Sequence, residues 1–440
     1  MHTTNYSARK PKRISSYIFM LFILILPSVL CHGQSQEAVK IIDLNTLSVE
    51  TTTGKTYFLE ESSDLNVWLP VATYAIGDGT QKTVSISASG ATKKFYRFRI
   101  VATNTSNPDD TDADGIDNNY EIKMGLDPNH INSLNDLAIV EVDSRISDKT
   151  PSTSLDIFNN YTSNGASLTF NRNANCWIND IDNISCISPW NNQATRKRAG
   201  TLITPRHVIF CAHSNFFVPA TKKIYFVDDS GNVIERTILR TKRHASYGSP
   251  SAYNNDIVIG VLDADVPASI KCVKFFPDDW SDYLDSTTRV PSIRLNQHEE
   301  ALVGDFYLGS IAQERAYHLK PTEPDRLAFY LSLSAPSQTG LYSGDSGNGG
   351  FVVIDSQLIL TNVWTYGGPG SGTSVTNEKT IINTMIGDID SEVGDITGHT
   401  IKEFNFSQYV KLADIPLGST LVGSEDPPII NELDYPLLIE

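Results

Sequence analysis

Between residues 40 and 102 apolar and polar positions alternate with a period of two. The runs are "KTYFLEESSDLNVWLPVAT", "QKTVSISA" and "KKFYRFRIVA", and the turn-forming "GDGT" and "SASGAT" separate them. Side chains of a strand point alternately to opposite faces, so this period predicts several short strands with one buried face each, a small β-sandwich. From about 171 to 395 short apolar runs are again broken by Gly, Pro and Asn, which predicts a larger all-β sandwich or barrel. One segment departs from that period. In "TNEKTIINTMIGDIDSEVG" the residues Ile381, Ile382, Met385, Ile386 and Ile389 fall at helical spacing behind Thr376/Asn377 as a cap, so a single helix is expected near the end of this unit. Residues 141–170 read as a linker, and 396–440 as an acidic, Pro-containing tail without a sorting signal.

The first residues carry a different pattern. Arg9, Lys10, Lys12 and Arg13 precede the apolar "SYIFMLFILILPSVL" and then "CHGQS". A basic start, an apolar run and small residues near a cut are the layout of a secretory signal peptide, assigned to 1–33. The run has about 14 residues, short of the roughly 20 a spanning helix needs. Removing those four positive charges takes the formal net charge from −16 to about −20. Such a surface repels nucleic acid and anionic membranes and suits a secreted protein, extracellular, cell-surface or periplasmic. With 440 residues the chain is long enough for two or three domains. Four cysteines follow the signal, Cys176, Cys186, Cys211 and Cys272. Export permits disulfides; Cys176 and Cys186 are close enough in sequence to bridge, while Cys211 reads as a buried small residue. No cysteine or histidine spacing suggests zinc.

Between the two β units lies "NPDDTDADGIDNNYEIKMGLDPNHINS". Set on a twelve-residue calcium loop, Asp110, Asp112 and Asp114 take positions 1, 3 and 5. Gly115 supplies the turn at 6, the Ile116 carbonyl falls at 7, Asn118 at 9 and Glu121 at 12. A hard cation requires oxygen ligands, and carboxylates alternating around a glycine converge on one point. Residues 103–140 are therefore expected to be a connector stiffened by structural Ca2+, since without an ion these carboxylates repel one another. A solvated acidic linker is the plainer alternative.

Two further stretches carry chemistry. "TLITPRHVIFCAHSNFF" reads as a buried strand that runs into His213, and "LYSGDSGNGGFVV" sets Ser346 among glycines that permit a tight turn exposing a hydroxyl. A free serine is a weak nucleophile and needs a base, for which an imidazole is suited by a pKa near neutrality. A buried carboxylate would then hold the imidazole in one tautomer, and Asp256 in "SAYNNDIVIGVLD", at the mouth of an apolar strand, is the candidate. His207 and His244 are the rival bases: His207 lies inside its strand and reads as structural.

The order His, Asp, Ser in an all-β unit with a late helix resembles the chymotrypsin-like (trypsin-fold) serine peptidases. "GTLITPRHVIFCAH" is similar to their first-barrel strand ending in Ala-Ala-His. "HASYGSPSAYNNDIVIGVL" resembles their His-Pro-x-Tyr … Asn-Asp-Ile-x-Leu segment, and "SGDSGNGG" carries their Gly-Asp-Ser-Gly. The three motifs span about half the chain, and the peptidase unit is assigned to 171–395. The resemblance implies two six-stranded barrels, His213 as base then acid, Asp256 as its partner, Ser346 as nucleophile, and an oxyanion hole from the N–H groups of Gly344 and Ser346. It implies no catalytic cofactor and a protein or peptide substrate. The pocket-floor position falls on Gly340, which carries no carboxylate and disfavours an Arg/Lys requirement; "NVWTYGGPG" loosely matches the pocket wall.

Several features depart from the family. Ser214 stands where a cysteine usually follows the histidine, and Cys211 replaces the first alanine. "RKR" at 196–198 looks like a processing site, but a cut there leaves no segment to insert beside Asp345, which is instead expected to hydrogen-bond its own loop. Residues 40–102 resemble a module common in secreted bacterial proteins, with a spacer role or contact to an extracellular polymer. "GLDPNHINS" resembles thrombospondin type 3-like connectors. A non-catalytic adhesin on the same scaffold, or an esterase using the same triad, are the alternatives to an endopeptidase.

Overall fold

The computed structural model describes residues 39–43, 46–63, 66, 68–86, 95–162, 168–189, 199–213, 222–250, 254–334, 341 and 344–416. Residues 1–33, expected to be a signal segment, Gly340, the "RKR" at 196–198 and residues 417–440 of the tail lie outside the described residues. The described chain is mainly β and forms two compact units, Met1–Thr111 and Asp112–Glu440.

The first unit holds β1 Val39–Asp43, β2 Thr46–Glu50, β3 Lys55–Ser62, β4 Leu69–Ile76, β5 Gln81–Ser85 and β6 Phe95–Ala102. They pair as two antiparallel three-stranded sheets, β1-β2-β5 and β4-β3-β6. Leu47, Val49 and Val84 from one sheet meet Tyr57, Leu59, Tyr96 and Phe98 from the other in a common core. Period-two alternation built this core because every second side chain faces inward.

The second unit begins with helices. α1 (Asn118–Met124) and α2 (Leu134–Ile146) are followed by the one-turn α3 (Pro151–Ser154) and the hairpin β7 (Phe158–Thr162) and β8 (Thr169–Arg172). Among the described residues, the expected linker over 141–170 thus carries helix and strand. α2 was obscured because it is buried on more than one side, through Leu134, Leu137, Ala138, Ile139 and Val142, so it lacks a clean amphipathic stripe. The acidic segment also reaches into this unit rather than standing apart. The Asp114 carbonyl accepts from Val410 N–H at 2.8 Å, and a Cβ on Gly115 would stand 2.0 Å from the Gln408 carbonyl oxygen. With φ at +92°, Gly115 is fixed twice over. Gly115→Ala is expected to destabilise the protein by about 2 kcal/mol or more. Calorimetry checks this, and an unchanged midpoint would mean the loop does not dock on 408–410.

Two sheets follow. The first comprises β9 Thr201–Thr204, β10 His207–Phe210, β11 Lys222–Val227, β12 Val233–Arg243 and β13 Val258–Leu262, in the order β11-β12-β13-β10-β9. The second comprises β14 Lys274–Phe275, β15 Arg289–Leu295, β16 Ala301–Tyr307, β17 Arg315–Leu319, β18 Gly349–Ile354, β19 Gln357–Val363, β20 Ser371–Thr373 and β21 Lys402–Glu403. Its order is β20-β17-β16-β15-β18-β19-β14-β21. Both sheets curl as half-barrels. A short helix α4 (Pro324–Ala328) precedes the long α5 (Lys379–Val393), the helix expected from the period break. α5 buries Ile382, Met385, Ile386 and Ile389 beside β12 and β13, while Ile381 faces outward. Its N-cap is Glu378 rather than Thr376 or Asn377, and Gly394 ends it in a left-handed turn.

Candidate active site

β10 and β13 run antiparallel with Phe210 opposite Val258. Two residues beyond that pair, Ala212 N–H donates to the Asp256 carbonyl at 3.3 Å, so strand pairing itself delivers His213 beside Asp256. Asp256 is fully buried. Its Oδ2 lies 2.5 Å from His213 Nδ1, and its Oδ1 accepts the His213 backbone N–H at 2.7 Å. A carboxylate at Nδ1 holds the proton there and leaves Nε2 as the acceptor. The Asp256 N–H donates in turn to Thr373 Oγ1 at 2.8 Å, which ties the pair to β20 of the other sheet.

Ser346 comes from that second sheet, three residues before β18. Gly347 N–H donates to the Trp364 carbonyl at 3.0 Å and Trp364 N–H to the Asn348 carbonyl at 2.8 Å; Asn348 N–H closes the turn on the Asp345 carbonyl at 3.1 Å. Gly344 and Gly347 have φ near +104° and +103°, conformations that only glycine adopts without strain. A Cβ on Gly347 would stand 3.6 Å from Cys211 Sγ and 3.2 Å from the Ala199 carbonyl oxygen. Cys211 Sγ is itself 4.0 Å from His213 Nε2. The serine turn therefore packs on the end of the histidine strand. Among the described residues, no backbone carbonyl takes up the N–H of Gly344 or Ser346.

Burial alone would lower the His213 pKa. The hydrogen bonds to Asp256 and Cys211 and the nearby Asp256 carboxylate outweigh it and push the pKa up to about 10. The imidazolium is therefore stabilised beside Asp256, and His213 becomes a better base as the pH rises.

The rival histidines have other partners. His207 is fully buried between Thr204 Oγ1 at 2.8 Å and Asp390 Oδ1 at 2.9 Å, its pKa lowered by burial against the pull of Asp390. His244 faces Glu378 Oε2 at 3.3 Å. His318 sits inside the second sheet, 2.8 Å from Ser292 Oγ, and burial together with Arg294 lowers its pKa to about 3.

The Asp345 carbonyl bonds its own loop through Asn348 N–H, and its side chain also reaches a second segment. The carboxylate is fully buried, and its Oδ1 accepts the backbone N–H of Gln297 at 2.8 Å, from the β15–β16 turn. Trp364–Gly367 does border the serine turn; Trp364 Nε1 donates to the Gly367 carbonyl at 3.2 Å. Gly340 lies outside the described residues. Thr373, Gln297 and Arg294 had no sequence signal, since they act through contacts distant along the chain. All four cysteines are free thiols, so Cys176 and Cys186 are not bridged.

In the acidic loop, carboxylate oxygens of Asp110, Asp112 and Asp114 lie within 4.8 Å of one another. Asp110, Asp114, Asn118 and Glu121 are buried, as is Ile116. Asp114 Oδ1 accepts from Ile116 N–H at 2.8 Å and Oδ2 from Asn132 N–H at 2.7 Å, which fixes the carboxylate that the loop wraps. The three converging carboxylates of Asp110, Asp112 and Asp114 could hold a hard divalent cation. No helix of the described residues is long and apolar enough to cross a membrane. No known family model matches the chain, and no curated protein matches it significantly.

Proposed function

We propose that this protein is a secreted serine endopeptidase with a chymotrypsin-like double β-barrel, in which Ser346 attacks a peptide carbonyl and an acyl-enzyme forms. The observation that carries the reading is the buried Asp256 gripping His213 through two hydrogen bonds beside the serine turn. In this mechanism His213 Nε2 takes the Ser346 proton as the Oγ–carbon bond forms, then delivers it to the leaving amine. Water reverses the steps to release the acid. The N–H groups of Gly344 and Ser346 receive the developing oxyanion, where one donor is worth roughly 3 kcal/mol. Asp110, Asp112, Asp114, the Ile116 carbonyl, Asn118 and Glu121 hold Ca2+ as a structural ion remote from these steps.

A fluorophosphonate probe is expected to label Ser346 in the wild type and to fail in Ser346→Ala and His213→Ala. A folded wild type that takes no label would favour a non-catalytic binding protein. Cleavage of esters but of no peptide would favour an esterase.

The raised His213 pKa sets the sign of the pH dependence. A base that must be neutral gains activity as pH rises through its pKa, so kcat/KM is expected to climb on the alkaline side of the ordinary imidazole value near 6.5. A pH–rate profile checks it; a rise centred below 6.5 would contradict the upward shift.

A further inference from the structure

Asp256 accounts for one nitrogen of the His213 ring, and the other has a neighbour that the mechanism above does not use. Cys211 Sγ lies 4.0 Å from His213 Nε2, within the reach of a sulfur hydrogen bond. The two residues stand two apart just past β10, and side chains two apart in extended chain share a face. Cys211 is fully buried, whereas the His213 side chain keeps 26% of its surface exposed, so solvent reaches the ring but not the sulfur. Beyond the ring the sulfur meets the serine turn. A Cβ on Gly347 would stand 3.6 Å from Cys211 Sγ and 3.7 Å from the Cys211 backbone nitrogen. The thiol is therefore held between the imidazole and the turn that carries Ser346. The family this chain resembles has alanine at that place, so the contact is this chain's own.

A thiol is a weak donor and its sulfur a weak acceptor, so Cys211 can meet Nε2 in either protonation state of the ring. The charged state gains more. With Nδ1–H given to Asp256, a proton on Nε2 finds in Sγ an acceptor that bulk water does not replace, and a hydrogen bond away from water is electrostatically stronger. Burial lowers the His213 pKa, while the hydrogen bonds to Asp256 and then to Cys211 raise it. These two are the titratable groups that act most strongly on the ring, one from the segment that opens β13 and one from the end of β10.

Taking the serine-hydrolase reading as its basis, we propose that Cys211 is a positioning residue that steadies the imidazolium from its Nε2 side, as Asp256 does from its Nδ1 side. The Ser346 Oγ–H bond breaks as Nε2–H forms, and Sγ accepts a hydrogen bond from that new N–H until it passes to the leaving amine. Cys211 gives up no proton and no electrons, and the thiol is unchanged at the end of the cycle. Steadying the imidazolium has two consequences of opposite sense. It keeps His213 protonated to higher pH, and it makes the neutral ring a stronger base once formed.

The test is a pH–rate profile of fluorophosphonate labelling for the full chain and its Cys211→Ala variant, with the His213 imidazole of both followed by NMR titration. In Cys211→Ala the alkaline rise is expected to move down by roughly one pH unit, so that labelling below the rise becomes about tenfold faster. Above it, the plateau is expected to fall on the order of threefold, as a weaker base takes the serine proton. The two profiles should therefore cross. A merely structural role would scale the whole profile without displacing it. A Cys211→Ala protein that labels with neither its profile nor its His213 titration displaced, or with both displaced upward, would overturn the proposal and leave the serine-hydrolase reading standing. No label on wild type or variant would remove that reading and the positioning role with it. Cys211→Ser puts a smaller oxygen in place of the sulfur and is expected to displace the profile in the same direction by less; it decides the question if Cys211→Ala does not fold.

Discussion

Asp256→Asn is expected to lower kcat/KM by roughly 10^4-fold near neutral pH while the protein stays folded. The size follows from geometry. Asp256 accepts two N–H groups from one residue, the backbone and the Nδ1–H of His213. An asparagine has one oxygen and one NH2, so one of those donors would meet another donor. The backbone N–H cannot change its character, so the amide oxygen stays with it and the NH2 turns to Nδ1. The imidazole then carries its proton on Nε2 and can no longer accept from Ser346. The substitution also removes the charge that stabilises the imidazolium formed in the transition state. Because Asp256 is fully buried, water does not take over either role. The damage should be kinetic, since the shape is unchanged and the amide still accepts the backbone bond. Steady-state kinetics on a peptide substrate, together with active-site titration, checks this. A folded Asp256→Asn protein with near wild-type turnover would show that the carboxylate does not work on His213, and the triad mechanism would have to be abandoned.

The legible parts of this chain were those written in local pattern. Alternation over 40–102 predicted strands because each strand's buried face is set by its own residues, even where the partner is distant, as for β2 with β5 and β3 with β6, and helical spacing from Ile381 predicted α5 because its face is set within fifteen residues. His213 and Asp256 were legible for a related reason, since each ends or opens an apolar strand and antiparallel pairing brings those ends together. α2 was missed because a helix buried on several sides has no polar stripe to betray it. The contact of Asp345 with Gln297 is not legible because a backbone N–H donor has no residue-type signature; any amino acid but proline at 297 supplies it. Arg294 is of the same kind. Its role depends on carbonyls from Val303, Tyr330 and Pro369 arriving around one buried site, which only the folded topology of β15, β16 and the segment after β19 brings about.

The second large effect expected is on stability, from withdrawal of the cation proposed for the acidic loop. Carboxylate oxygens of Asp110, Asp112 and Asp114 lie within 4.8 Å of one another, and Asp110, Asp114 and Glu121 are buried. Like charges at such spacing repel more strongly the less water surrounds them. A divalent ion turns that repulsion into attraction, and by linkage it stabilises the fold by about 2.7 kcal/mol at a hundred times its dissociation constant. For a unit of this size that corresponds to roughly 5 °C in the unfolding midpoint. EDTA should therefore lower the midpoint by that order, and added Ca2+ should restore it. Glu121→Gln should lower the midpoint in calcium and remove most of the response to EDTA. The effect reaches beyond the loop because of what lies behind it. Ile116, Met124, Leu134 and Leu137 share a core with Val352 and Ile354 of β18, the strand that follows Ser346. Loss of the ion should therefore bring inactivation to lower temperatures while leaving the rate of probe labelling at 25 °C nearly unchanged, because no atom of the loop takes part in the chemistry. An equal midpoint with and without chelator would show that the loop stands without a cation. A labelling rate that falls at 25 °C in step with chelation would instead place the ion's influence on the serine turn itself.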